Sequence, residues 1–217
     1  MVASLMLAAG GWAGAAETGP PDPGERLIKA ARANDVETVT RLLAQGADPN
    51  AHDGATVLIA AAGSRARGPE RLVIRQRLLV AGARVNGPAS DGLTALSIAA
   101  VLLDPVAVHL LLQHGADPNL VDLHCVTPLL HSLLPHGDEA KHLDVVRLLI
   151  GSGAHVNGRA MRDGRTALGS AVRRGSAAMV ALLLAGGADP NLADDAGTTP
   201  LMAAAPLSSS QVGAARS

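Results

Sequence analysis

A Gly-Ala pair followed three residues after the alanine by an asparagine occurs five times in this chain. It reads GADPN at 46–50, GARVN at 82–86, GADPN at 115–119, GAHVN at 153–157 and GADPN at 187–191. The glycines stand 36, 33, 38 and 34 residues apart. A period of this size points to stacked supersecondary units, each too small to bury its own apolar side, and outranks any single-core reading.

The residues before each glycine have helical spacing. Seven, four and three positions upstream stand Val39, Leu42 and Leu43; Val108, Leu111 and Leu112; Val146, Leu149 and Ile150; and Val180, Leu183 and Leu184. That is one apolar stripe along a helix. The second copy breaks it with Arg75, where the adjacent Ile74 is expected to supply the contact. Another helix is expected to start at Thr56, Thr94, Thr127, Thr166 and Thr199, because threonine caps helix N-termini and Pro128 and Pro200 occupy first helical positions. Leucine and small residues then share a face: Leu27, Ala30, Ala31; Leu58, Ala61, Ala62; Leu96, Ala99, Ala100; Leu168, Ala171, Val172; Leu201, Ala204, Ala205. Each unit is therefore a helix pair. The second helix ends at a glycine able to adopt the left-handed conformation, and the turn that follows carries Asp53-Gly54, Asp91-Gly92 or Asp163-Gly164 before the threonine.

Asp-Gly-x-Thr-x-Leu-x-x-Ala-Ala, a second helix ending in paired leucines, and Gly-Ala-Asp-x-Asn together resemble the ankyrin repeat. The resemblance covers 25–206, as units 25–52, 53–90, 91–121, 122–162 and 163–194 with a partial sixth at 195–206. It implies an all-α ankyrin-repeat solenoid of stacked helix-turn-helix units joined by hairpin-like turns. The family's Thr-Pro-Leu-His keeps its proline only at Pro128 and Pro200, and Ile59, Ser97, Leu130, Gly169 and Met202 stand in place of its histidine. The hydrogen bonds between repeats that this histidine supports are thus expected to be missing, giving an array of moderate stability.

The flanks read differently. In residues 1–16 an apolar run, Val2–Ala9, precedes an A-x-A-like cleavage site, Ala13-Gly14-Ala15, so a secretory signal peptide is expected, although it lacks a basic n-region. A plain Ala/Gly tail is the competing reading. Residues 17–24 read as a Pro/Gly linker and 207–217 as a disordered tail. The protein is expected to be periplasmic or secreted if the segment is cleaved, and cytoplasmic otherwise. Its alanine- and arginine-rich, lysine-poor composition suggests a GC-rich bacterium.

Charge and composition narrow the partners. A formal net charge of −1 and the absence of Phe and Tyr give neither the basic field nor the stacking surface that nucleic acids require. Cys125 is the single cysteine, so there is no intramolecular disulfide or multi-thiolate metal site. No catalytic or phosphate-binding motif occurs, and no segment is long enough to span a membrane.

The units differ at two places. From the capping threonine to the glycine there are 26 residues in the second and fourth units and 21 in the third and fifth. The extra residues fall within Gly63–Pro69, a basic loop, and within Leu134–His142. The fourth unit also has His124-Cys125 where its siblings have Asp-Gly, placing a residue with a side chain where positive φ is needed, at a cost of about 1 kcal/mol. A small half-buried filler is the plain reading of Cys125, and a thiol on the binding face the sharper one. His131, His136, Asp138, Glu139, His142 and Asp144 have ligand chemistry but no known metal spacing.

The expectation is a monomeric, non-enzymatic protein-interaction module with no cofactor. The resemblance implies a protein partner bound on the concave face of turn tips and first helices. The candidate contacts are His52, Asp53, Ser90, Asp91, Asp122, His124, Arg159, Arg162, Asp163 and Asp194. The alternative is an exported bacterial envelope protein that protects or inhibits an enzyme there.

Overall fold

The computed structural model describes residues 22–63, 68–134, 137–160 and 162–205. The expected signal segment 1–16, the linker as far as 21, Pro206 and the tail 207–217 lie outside them, as does His136. Among the described residues the chain is helical throughout, its nearest approach to strand being the isolated bridges His52–Thr56 and Arg159–Thr166 in two of the turns.

The helices come in pairs, as the stripes require: α1 (Pro23–Ala33) with α2 (Val36–Ala44), α3 (Val57–Gly63) with α4 (Glu70–Val80), α5 (Ala95–Val101) with α6 (Pro105–Gln113), α7 (Pro128–Ser132) with α8 (Glu139–Gly151), and α9 (Ala167–Arg174) with α10 (Ala177–Ala185). A first helix alone, α11 (Pro200–Ala204), follows. First helices form one layer, α1 on α3 on α5 on α7 and α9 on α11, and second helices α2 to α10 form the other. Leu27, Leu58, Leu96, Leu129 and Leu168 are buried between the layers, with Val39, Leu42, Val108, Leu111, Val146, Leu149 and Leu183 facing them. Alanines 61, 62, 99, 100 and 171 are buried too. Their small size lets successive first helices approach closely, which is how a core without aromatics fills its volume.

Local chemistry sets the helix limits. The hydroxyls of Thr56, Thr94, Thr127, Thr166 and Thr199 accept hydrogen bonds from the amides of Ile59, Ser97, Leu130, Gly169 and Met202 at 3.0–3.3 Å. The carboxylates of Asp35, Asp104 and Asp138 and the hydroxyl of Ser176 cap second helices in the same way. Gly46, Gly82, Gly115, Gly153 and Gly187 all take φ between 83° and 91°, the left-handed conformation that ends each second helix.

The asparagine of each joint couples neighbouring units. The Asn50 side chain donates to Gly82 O at 3.2 Å and accepts from Arg84 N at 2.7 Å. Asn86, Asn119 and Asn157 repeat the pair of bonds to Gly115 and Asp117, Gly153 and His155, and Gly187 and Asp189. Hydrogen bonds between repeats are therefore present despite the absent histidines, carried by the joint instead.

Three expectations change. Pro23 and Gly24, read as linker, are the first residues of α1, because Asp22 caps the helix through bonds from Gly24 N and Glu25 N. Leu201, expected on the inward face, is 73% exposed. Its counterparts pack on the second helix of their own unit, and among the described residues no second helix follows α11. Arg75, read as a break in the α4 stripe, is itself 2% exposed and lies beside the buried Ile74.

Candidate interaction face

The turns between units line up along one edge of the stack because their backbones are bonded to each other. Ser90 N donates to Gly54 O, Leu123 N to Asp91 O and Asp195 N to Asp163 O, at 3.0–3.1 Å. Within each tip a polar side chain closes the reversal: Asp91 Oδ1 accepts from Leu93 N, Asp163 Oδ1 from Arg165 N, and His52 Nδ1 from Gly54 N. These side-chain-to-backbone bonds hold the tips in shape without a sheet.

The candidate residues divide by what their side chains already bind. His52, Ser90, Asp91, His124 and Arg162 are exposed. Asp53 pairs with Arg32 at 3.1 Å, Arg159 with Asp195 at 2.7 Å, Asp163 with Arg165 at 2.6 Å and Asp194 with Arg173 at 3.3 Å. The first three are exposed pairs, worth at most about 1 kcal/mol, so a partner's charge competes for them readily. Asp194 is also held by the amides of Ala196 and Thr198. Thr198 N–H, the largest influence, and the Arg173 and Ala196 contacts keep its carboxyl below the usual aspartate range.

Asp122 is the correction among them. Its position in a turn suggests a solvated tip, yet it is 8% exposed and faces inward. One carboxylate oxygen accepts from His124 N at 2.8 Å and Val126 N at 2.9 Å, and the other meets His131 Nε2 at 3.0 Å. Burial would raise the Asp122 carboxyl, but the two amides and His131 outweigh it and hold it low. His131 is buried as well, and burial pushes its imidazole down despite the attraction of Asp122 and Asp91. A neutral ring donating from Nε2 leaves Nδ1 as the acceptor, and that atom has no partner among the described residues.

This pair supports the turn in which Cys125 takes φ 54°, so the turn keeps its left-handed residue and strains the cysteine. Cys125 is half-buried. The remaining potential ligands separate: His142 is buried with Nδ1 on Asp138 O, Asp144 pairs with Arg147, and Glu139 bonds Ser176. Among the described residues no three His, Cys, Asp or Glu side chains come together as a metal set. None of the described helices is long and apolar enough to cross a membrane.

Two residues of this edge escaped the sequence reading. Leu123 is 68% exposed at the centre of the tip row, and Val121 beside it is 47% exposed. The signal was present in Leu120-Val121-Asp122-Leu123, where the matching tips place Ser90 and Asp195 at the position of Leu123. Exposed apolar side chains ringed by polar ones are the arrangement of an interaction centre.

Comparison with known proteins agrees with this geometry. The family model for ankyrin repeats (3 copies) matches residues 27–122 and 136–213. The chain is 38% identical over 106 residues to the human SH3 and multiple ankyrin repeat domains protein 2, covering 48% of this chain and 6% of that protein. It is 41% identical over 115 residues to the mouse B-cell lymphoma 3 protein homolog, covering 52% and 24%. It is 32% identical over 182 residues to the bovine mitochondrial disaggregase, covering 84% and 21%. The chain thus spans at most 24% of the length of these three relatives. With two stacked helix layers, threonine caps and five Gly-Ala joints in register, the chain belongs to the ankyrin repeat family.

Proposed function

We propose that this protein is a non-enzymatic interaction module that binds a protein partner along the concave face of turn tips and first helices. The observation that carries the proposal is Leu123, with Val121, exposed at the middle of a rigid row of tips and flanked by Ser90, Asp91 and His124. An apolar anchor with a polar rim matches the anatomy of protein interfaces, and a specific complex buries roughly 800 Å² per partner. Mixed charge along the tips, Asp53 and Asp91 in the earlier ones and Arg159 and Arg162 in a later one, favours a protein surface over a polyanion.

The test is a photo-crosslinking amino acid placed at His124, with the same group at Val80 of α4 as the control. Capture of one partner from His124 and its loss in Leu123→Asp is the expected result. Equal capture from Val80, or capture indifferent to Leu123→Asp and Asp91→Lys, sinks the reading.

A second reading rests on the apolar run and cleavage-like site in residues 1–16: export, with the module protecting or inhibiting an envelope enzyme. Mass spectrometry of the mature chain tests it, a start at Ala16 or Glu17 being expected. An intact Met1 in protein recovered from its native source removes this reading.

A further inference from the structure

Two turns of this chain are built to one plan and differ in the group that answers their carboxylate. In the tip that opens the sixth unit, Asp194 Oδ1 accepts from Ala196 N and Thr198 N, while Asp194 N and O close the reversal with Thr198 O and Gly197 N. In the fourth tip Asp122 makes the same four bonds, with His124 N, Val126 N, Val126 O and Cys125 N. The third tip forms its reversal with Ala89 in this place, so the turn does not require the carboxylate.

The second oxygen sets the two apart. Asp194 Oδ2 is met by Arg173 at 3.3 Å, from 21 residues earlier. Val101 stands the same distance before Asp122, and His131 Nε2 meets the oxygen instead, at 3.0 Å. Four residues after their capping threonines the other units have Ala60, Ile98, Ser170 and Ala203, so a titratable side chain at the place of His131 is particular to the fourth unit. Arginine keeps its charge at any pH of interest, whereas histidine changes charge in mild acid. Cys125 holds the strained φ of 54° where the sixth tip has Gly197, so the fourth turn is also the one that gains by relaxing.

A second proton on His131 would sit on Nδ1, which is buried and has no partner among the described residues. Asp122 and Asp91 attract it, but burial outweighs both. Around the ring, α5 carries no titratable side chain. On α8, Glu139, Lys141, Asp144 and Arg147 are exposed, and the buried His142 has Nδ1 on Asp138 O. On α9, Arg173 pairs with Asp194 and Arg174 donates to Leu133 O; in the turn itself His124 is exposed. The protonated ring is therefore better accommodated in solvent, and its departure takes from Asp122 the donor on its second oxygen.

We propose that the fourth tip is an acid-sensitive latch, in which protonation of His131 releases Asp122 and frees the turn that presents Leu123, while the arginine-held sixth tip stays closed. The consequence, release in mild acid of a partner anchored on Leu123, rests on the tips being the interaction face. The latch itself is tested without a partner.

Amide hydrogen exchange of the full chain, resolved by NMR between pH 7.5 and 5.0 and corrected for the intrinsic pH dependence of exchange, reads it directly. Protection of His124 N and Val126 N is expected to fall about five- to tenfold as the pH drops through ~6.5, because the open turn binds the proton more tightly. Ala196 N and Thr198 N keep theirs, which gives a control within the same molecule whether or not a variant folds. His131→Gln flattens the profile at Val126 N, and His124→Gln leaves it as in the parent. Constant protection at the fourth tip, an equal loss at the sixth, or the parental profile in a folded His131→Gln overturns the proposal. Failure of the interaction reading is a different outcome, seen as absent crosslinking from His124 at neutral pH.

Discussion

Cys125 occupies a position that the other turns give to Gly54, Gly92, Gly164 and Gly197, all at positive φ, and it adopts the same conformation at φ 54°. A side chain there costs about 1–2 kcal/mol, part of which glycine would lose again through its freer unfolded chain. Cys125→Gly is therefore expected to raise stability by about 0.5–1 kcal/mol, while Cys125→Ala, which keeps the strain, gains nothing. Urea denaturation of the two variants decides this, and a stabilising Cys125→Ala would show that the thiol rather than the backbone is at fault. At Gly92 the demand is double. An added Cβ would come 2.9 Å from Asp122 Cα as well as sitting at φ 83°, so Gly92→Ala should lose more than any glycine change in open space.

Beneath that turn the Asp122–His131 pair makes stability depend on pH. The unfolded chain protonates His131 near the ordinary value of about 6.5, whereas the fold holds the ring neutral to lower pH. Protons are then bound preferentially by the unfolded state, so stability is complete above pH ~6.5 and falls as the solution is acidified. Asp122, also held low, adds a second loss below the ordinary aspartate range of about 4. Denaturation midpoints between pH 7 and 5 should fall in the parent and stay flatter in His131→Gln. Parallel slopes for the two proteins would exclude this histidine as the source. None of this was legible in the sequence, where an aspartate in a turn reads as solvated and a histidine nine residues on shows no connection to it.

The helices were legible because their determinants are local. Threonine caps, Leu-x-x-Ala-Ala stripes and glycine stops each act within one turn of chain, and the structure places them as the spacing requires. What spacing could not show is which deviations pair. Arg75 looks like a flaw in α4 and Asp104 like an ordinary cap of α6, until the fold brings them to 2.9 Å across 29 residues of sequence. Burial would raise the Asp104 carboxyl, but bonds from Arg75 and Ala107 N and the two arginine charges hold it low; Arg75, though pushed down by burial, stays charged as arginine does. Removing one member of such a pair strands the other, so Asp104→Ala should cost about 3 kcal/mol or more, and far more than Asp144→Ala, whose partner Arg147 is exposed. The joint asparagines make the milder comparison. Asn119→Ala removes bonds at 3.0 and 2.7 Å between the third and fourth units and should cost about 1–2 kcal/mol in chemical denaturation. A neutral Asn119→Ala would mean that water replaces the clamp at no loss.

At the scale of the whole array, stability is a sum over units and the interfaces between them, so the weakest interface sets where the molecule opens. That interface lies between the fourth and fifth units. First helices pack closely from α1 through α7 and again from α9 to α11, but the α7–α9 step is the sparsest of the layer, α7 having only five residues. Polar contacts supplement the buried Leu129, Leu149, Leu168 and Leu183 there: Arg174 donates to Leu133 O at 3.0 Å, Ser176 bonds Glu139, and Asn157 clamps Gly187 and Asp189. Such bonds are net worth about 1 kcal/mol each, against about 1.5–3 kcal/mol for each fully buried large aliphatic side chain, so they add little to an interface whose first helices meet sparsely. The exposed Leu201 and Met202 of α11 add little on the far side. Hydrogen exchange under native conditions should therefore show α9, α10 and α11 opening together at lower free energy than α1 through α7. Arg174→Ala, which removes the bond to Leu133, should lower that opening energy further without changing exchange in α1 to α5. Exchange from all units at one common free energy would instead mean that the polar contacts couple the array into a single cooperative block.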